Sequence, residues 1–167
     1  MDNKTLQKLT KDIHAQNIKK GFWDKKVSCN EIKLQIISEI IEAYESFSKG
    51  YAPVFHVDDK PEGYVIEICD TIMRILDYCE HSGFEMINAH TSHNFSNGHI
   101  KQIIIELLIN SIKLILIDTG YSLSELFHDV GMLLIDVLES TGYDVESLIR
   151  EKMAYNETRP YRYGRVL

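Results

Sequence analysis

At 167 residues the chain is long enough to bury its own core, and with 44% hydrophobic and 26% charged residues it has the composition of a globular domain. Eighteen basic against 25 acidic side chains leave a formal net charge of -7, which argues against broad nucleic-acid or anionic-membrane binding, since both need basic surface. A small phosphorylated ligand stays open, because divalent cations can bridge carboxylates to phosphates.

The dominant signal is helical periodicity broken by short turn clusters, and β-alternation is not convincing anywhere. The first helix is predicted from about Lys4 to Lys19, with Leu6, Leu9, Ile13 and Ile18 on its inner stripe. The second runs from about Asn30, read as its N-cap, to Ser48, with Ile32, Ile36, Ile37, Ile40, Tyr44 and Phe47 recurring at three- and four-residue steps. After a loop through Pro53, the third is expected from about Pro61, a good first-turn residue, to His81. Its apolar residues, from Tyr64 to Cys79, cover more than half of the helical wheel, so it belongs at the centre of a bundle or between subunits. Glu67, Asp70, Arg74 and Asp77 fill the remaining arc.

A polar loop, NAHTSHNFSNG, leads to an apolar helix from Ile100 to Ile117, buried or packed on a second subunit. A fifth helix is expected from about Leu123 to Ser140 and a sixth from about Asp144 to Asn156. The recurrence HSGFEM, TGYSLSEL and TGYDVESL marks helix ends: a glycine just past one helix, an aromatic, then Ser122 or Asp144 capping the next. The expected fold class is all-α, a bundle of about five or six helices.

Three cysteines, Cys29, Cys69 and Cys79, contain no CxxC pair and read as buried thiols in a reducing compartment. The polar start MDNKTLQKLTKD has no signal-peptide core, and Lys101, Glu106, Asn110 and Lys113 interrupt the most apolar stretch. The chain therefore reads as cytoplasmic, with no membrane and no nucleic-acid partner.

Two acidic pairs carry the chemistry. Glu39 and Glu42 are three apart on the second helix, and Glu67 and Asp70 are three apart on the third, so each pair shares a face. On facing helices the four carboxylates surround a small volume and repel one another unless a cation such as Mg²⁺ or Mn²⁺ neutralises them. Glu39 and Glu42 flank the apolar arc of their helix and Glu67 and Asp70 oppose theirs, and such acidic positions are more often a solvated face. Near the C-terminus Lys152, Asn156 and Arg159 fall at i, i+4 and i+7, a helical face suited to phosphate oxygens, or merely a basic end that complements the helix dipole. His90, His93 and His99 share one loop but lack a further spaced ligand and read as polar loop. The ExxH pairs of a di-iron bundle and the Gly-rich phosphate loop are both absent.

Three blocks, KGFWD at Lys20, SEIIEAYE followed by EICDTIMRILD, and KMAYNETRPYRYG, resemble in order the MazG-like nucleoside triphosphate pyrophosphohydrolases of the all-α NTP pyrophosphatase superfamily. The resemblance implies a MazG-like bundle over residues 1–167, from which an extra helical insertion at about 82–140 departs; the very apolar third and fourth helices, more than one bundle of this size can cover, imply a homodimer or homotetramer. The resemblance also implies Mg²⁺-dependent cleavage of a nucleoside triphosphate (NTP or dNTP) to the monophosphate and pyrophosphate, with water attacking the α-phosphorus. Glu39, Glu42, Glu67 and Asp70 match the metal ligands, with Glu39 or Glu42 accepting the water's proton. Lys152, Asn156 and Arg159 match substrate contacts; Trp23 either stacks on a base or caps the bundle. Tyr163 stands where relatives often carry His, and Ser38 where some carry a further Glu. The rival is a non-catalytic helical oligomer acting as a nucleotide-sensing or interaction module.

Overall fold

The computed structural model describes residues 1–88, 100–116 and 122–164. Six helices form most of it: α1 (Asn3–Lys19), α2 (Cys29–Ser48), α3 (Tyr64–Ser82), α4 (Ile100–Leu116), α5 (Leu123–Ser140) and α6 (Val145–Thr158). Between α2 and α3 lies an antiparallel hairpin, β1 (Phe55–Val57) and β2 (Lys60–Glu62), pairing Phe55 with Glu62 and Val57 with Lys60. None of the described helices is long and apolar enough to cross a membrane. The loop histidines His90, His93 and His99 and the first three residues of the recurrence at Thr119 lie outside the described residues. The stretch 82–140 contributes α4 and α5.

Helix ends follow local capping chemistry. Asp2, Ser28, Ser122 and Asp144 each accept from a backbone N–H three residues on, satisfying a donor that the helix itself leaves open. At Ser28 and Ser122 the third residue, Glu31 or Glu125, reaches back to complete a capping box. The cap of α2 is therefore Ser28, two residues before the expected Asn30. Gly83, at φ 72, ends α3, and Phe84 N–H closes onto the Cys79 carbonyl at 2.9 Å.

The start of α3 corrects the sequence reading. Pro61 lies in β2, opposite His56, and the helix begins three residues later. Asp58, at φ 53, turns the hairpin, and Gly63 follows at φ 114, a backbone setting that breaks any continuous helix from Pro61. A Cβ on Gly63 would stand 2.4 Å from the Pro53 carbonyl oxygen.

α3 is the central helix. It packs against α1, α2, α5 and α6, and all but a few of its residues from Tyr64 to Cys79 are buried. Its direction opposes that of α2: Phe47, near the end of α2, meets Tyr64 edge-on at 5.4 Å, while Glu39 pairs with Arg74 further along. Leu6, Leu9 and Ile13 of α1 and Phe127 of α5 complete the same core. Three expectations do not hold. Ile18 and Tyr44 are half exposed, and Cys29 is exposed at the first turn of α2, leaving only Cys69 and Cys79 buried.

Candidate functional site

One cleft of about 160 Å³ is lined by all eight side chains singled out from the sequence: Glu39, Glu42, Glu67, Asp70, Lys152, Asn156, Arg159 and Trp23. At about 30 Å³ per water it has room for about five waters, the scale of a small hydrated ion. Its floor is the polar ribbon of α3. The i, i+3 and i, i+4 spacing of Glu67, Asp70, Arg74 and Asp77 sets one above another, facing α2, α6 and the segment after α1. This ribbon is not a solvated face. Glu67 is 7% exposed and Asp77 8%, although they stand opposite the apolar arc.

Glu39, Glu67 and Asp70 converge, one carboxylate oxygen from each lying within 4.8 Å of the others. Glu42, one turn from Glu39, lines the cleft from an exposed position outside that triad. Two cations already touch the cluster. Arg74 donates from Nε to Glu39 Oε1 at 2.7 Å, its Nη2 stands 2.6 Å from the same oxygen, and its Nη1 reaches Gln35 Oε1 at 3.3 Å. Lys152 Nζ, on the buried face of α6, stands 2.7 Å from Asp70 Oδ2.

Burial, then the neighbouring Asp70, push the Glu67 carboxyl from 4.5 up to about 8; Lys152 opposes the rise, and Glu39 and Glu42 add to it. Asp70 is raised as well, burial outweighing the pull of Lys152. Lys152 rises despite its burial, held charged by Asp70 and Glu67. Arg74 on Glu39 and Lys152 on Asp70 set two cationic side chains against the three clustered carboxyls, and a proton on Glu67 lowers the repulsion that remains.

Lys152, Asn156 and Arg159 are placed by the end of α6. Lys152 and Asn156 lie on one buried face, as the spacing predicts. Arg159 does not continue that face: it is the C-cap, at φ -74 and ψ 150, because the chain must leave the helix ahead of Pro160. Its guanidinium lies 4.0 Å over the Tyr163 ring, and burial lifts the Tyr163 hydroxyl to about 12. Lys20 and Arg162 tie the KGFWD and RPYRYG blocks together. The Lys20 ammonium donates to the Glu157 and Arg159 carbonyls at the end of α6, while Arg162 donates to the Lys20 and Gly21 carbonyls.

Sequence reasoning gave Asp77 no role, yet it organises one wall. Its carboxylate faces His14 Nδ1 at 2.6 Å, accepts from Asn17 at 2.7 Å, and accepts from Trp23 Nε1 at 2.9 and 3.1 Å. Trp23 lies flat on His81, ring centroids 3.7 Å apart. The signal for Asp77 and Arg74 was available, since both continue the Glu67–Asp70 ribbon at helical steps. What they would meet was not. Compared with known proteins, the chain matches no protein family, no curated protein and no solved structure.

Proposed function

We propose that the protein is a Mg²⁺-dependent nucleoside triphosphate pyrophosphohydrolase of the MazG-like type, releasing nucleoside monophosphate and pyrophosphate, and that it works as a homo-oligomer. The observation that carries this reading is the convergence of Glu39, Glu67 and Asp70 beside Lys152, Asn156 and Arg159 in a single cleft. The donor set suits Mg²⁺ or Mn²⁺, being all hard oxygen. Neighbouring oxygens on one octahedral Mg²⁺ stand about 3.0 Å apart, so three oxygens already within 4.8 Å of one another need at most about 1 Å of movement each. When bound, the cation supplies charge neutralisation and acidifies a water at neutral pH.

The remaining work falls to this chain's own groups. Glu39, Glu67 and Asp70, with Glu42 at the rim, hold the cation. Glu39 or Glu42 accepts the proton of the attacking water. Lys152, Asn156 and Arg159 hold phosphate oxygens, a preorganised contribution in a cleft whose walls are largely buried. Leu34, Ile41 and Tyr44 on α2 and Ile109 and Leu116 on α4 support self-association, being large apolar residues exposed by 45–65% on two helices that touch.

Pyrophosphate release from a nucleotide panel, with and without Mg²⁺, tests the reading. Release should require Mg²⁺ and fall at least a hundredfold in Asp70→Asn and Glu42→Ala, both remaining helical by circular dichroism. Undiminished Mg²⁺-dependent release in both variants overturns the site. The ion pairs of the cluster favour a second reading, a nucleotide sensor whose carboxylates are satisfied by Arg74 and Lys152 alone. It predicts nucleotide-dependent thermal stabilisation with no pyrophosphate formed.

A further inference from the structure

Arg74 does not belong among the ligands or phosphate contacts read from the sequence, yet it occupies the metal-facing carboxylate. Two of its nitrogens converge on a single oxygen, Glu39 Oε1, at 2.6 and 2.7 Å, and a third rests on the neutral acceptor Gln35 at 3.3 Å. A divalent cation held by Glu39 competes directly with that guanidinium. We propose that Arg74 is a resident cation that Mg²⁺ displaces from Glu39, whereupon its guanidinium fork takes a phosphate oxygen of the substrate. This role rests on the metal-dependent hydrolysis proposed above.

Three features carry it. Arg74 stands one helical turn beyond Asp70 on α3 and itself lines the cleft, so a freed guanidinium is already beside the phosphates. The core side is closed to it, since the neighbouring Ile72, Ile75 and Leu76 are fully buried, while its own side chain is 23% exposed at the cleft. The planar fork that grips one carboxylate has the geometry to grip a phosphate bidentately, which an ammonium does not. Lys152 on Asp70 repeats the arrangement, a cation parked on a ligand carboxylate beside the phosphate site.

The alternative is a purely structural tie between α2 and α3, and the two differ in the sign of one effect. Mg²⁺ binding to the full chain is followed by titration calorimetry without nucleotide, and inorganic tripolyphosphate binding is then measured in saturating Mg²⁺. Arg74→Gln should bind Mg²⁺ several-fold more tightly than the natural protein and tripolyphosphate about tenfold more weakly. Arg74→Lys keeps the charge and serves if the glutamine variant folds poorly; it should weaken tripolyphosphate binding while leaving Mg²⁺ competition in place. Mg²⁺ affinity that is unchanged or lower in Arg74→Gln, or tripolyphosphate affinity unchanged in both variants, overturns the role of Arg74 alone. A natural protein that binds neither probe overturns this role and the metal-dependent reading together.

Discussion

Glu67 gives the sharpest quantitative test of the cleft, because the fold holds a proton on it. Its carboxyl titrates near 8 rather than 4.5, chiefly through burial and the adjacent Asp70. A group that binds its proton more tightly when folded contributes stability that is complete below its unfolded value, here 4.5. That contribution is lost as pH rises through the folded value, here about 8. Stability should therefore decline from about pH 5 to pH 8. At 1.36 kcal/mol per pH unit, the interval from 4.5 to about 8 sets a ceiling of roughly 5 kcal/mol; relaxation in a cleft open to water lowers it to a few kcal/mol. Glu67→Gln keeps the shape of the side chain and cannot ionise. Its urea-unfolding free energy in chelator should match the natural protein near pH 5 and exceed it by those few kcal/mol at pH 8 to 9. Asp70, raised in the same direction, leaves some slope in both proteins, so the informative quantity is the difference between the two curves. The cap carboxylates Asp2, Glu31 and Glu125 are lowered by their hydrogen bonds and act only at more acid pH. Saturating Mg²⁺ should remove the decline in the natural protein and do far less for the variant. Parallel curves for the two proteins across pH 5 to 9 would refute the reasoning.

Three other outcomes follow from particular residues. Gly63→Ala should lower stability by about 3 kcal/mol, or roughly 6–12 °C in Tm for a chain of this size, since the new Cβ meets the Pro53 and Ala52 carbonyls at 2.4 and 2.7 Å with φ fixed at 114; an unchanged Tm rejects the strained turn ahead of α3. Trp23 is the sole tryptophan and lines the cleft, so Mg²⁺ with a hydrolysed nucleotide should change its fluorescence, and Trp23→Phe, which loses the bond to Asp77, should weaken nucleotide binding; no change in either removes it from the substrate's surroundings. Leu34→Glu combined with Ile41→Glu should give a monomer by light scattering, and an assembly of unaltered mass would move the interface elsewhere.

The parts of the structure that could be read in advance are those governed by neighbours in sequence. α5 runs from Leu123 to Ser140 as expected, because a Ser122–Glu125 capping box opens it and Gly142 follows its end. The hairpin escaped notice because three residues per strand offer hardly one alternation, and Pro61 in isolation reads as a helix start. Ile18 and Tyr44 fit the apolar period of their helices, yet Ile18 is the next-to-last residue of α1 and Tyr44 stands at the edge of the arc that Ile36, Ile40 and Ala43 bury. At the site, the i, i+3 spacing showed which carboxylates share a face, and resemblance suggested which helices bring them together. Neither could show that Glu39 meets Arg74 across 35 positions, or that His14, Asn17 and Trp23 close on Asp77. Those contacts depend on the register of α3 against its neighbours, which is a property of the packed core.

That dependence bears on what the cluster is for. α3 is buried along most of its length, and placing Glu67, Asp70 and Arg74 on it removes charged groups from water at considerable cost. Paired buried charges seldom repay that cost, and apolar substitutes of similar volume are often as stable or more so. Structural need alone therefore gives little reason for five ionisable groups from three helices to meet beside the core. The cost is easier to understand where the charges open onto a cleft and one of them holds a proton at neutral pH that the proposed cation would replace. Replacing Glu39 and Arg74 together by Leu and Met should then leave the fold intact or firmer while removing the response to Mg²⁺. A double variant that unfolds instead would mean that the pair is there to join α2 to α3.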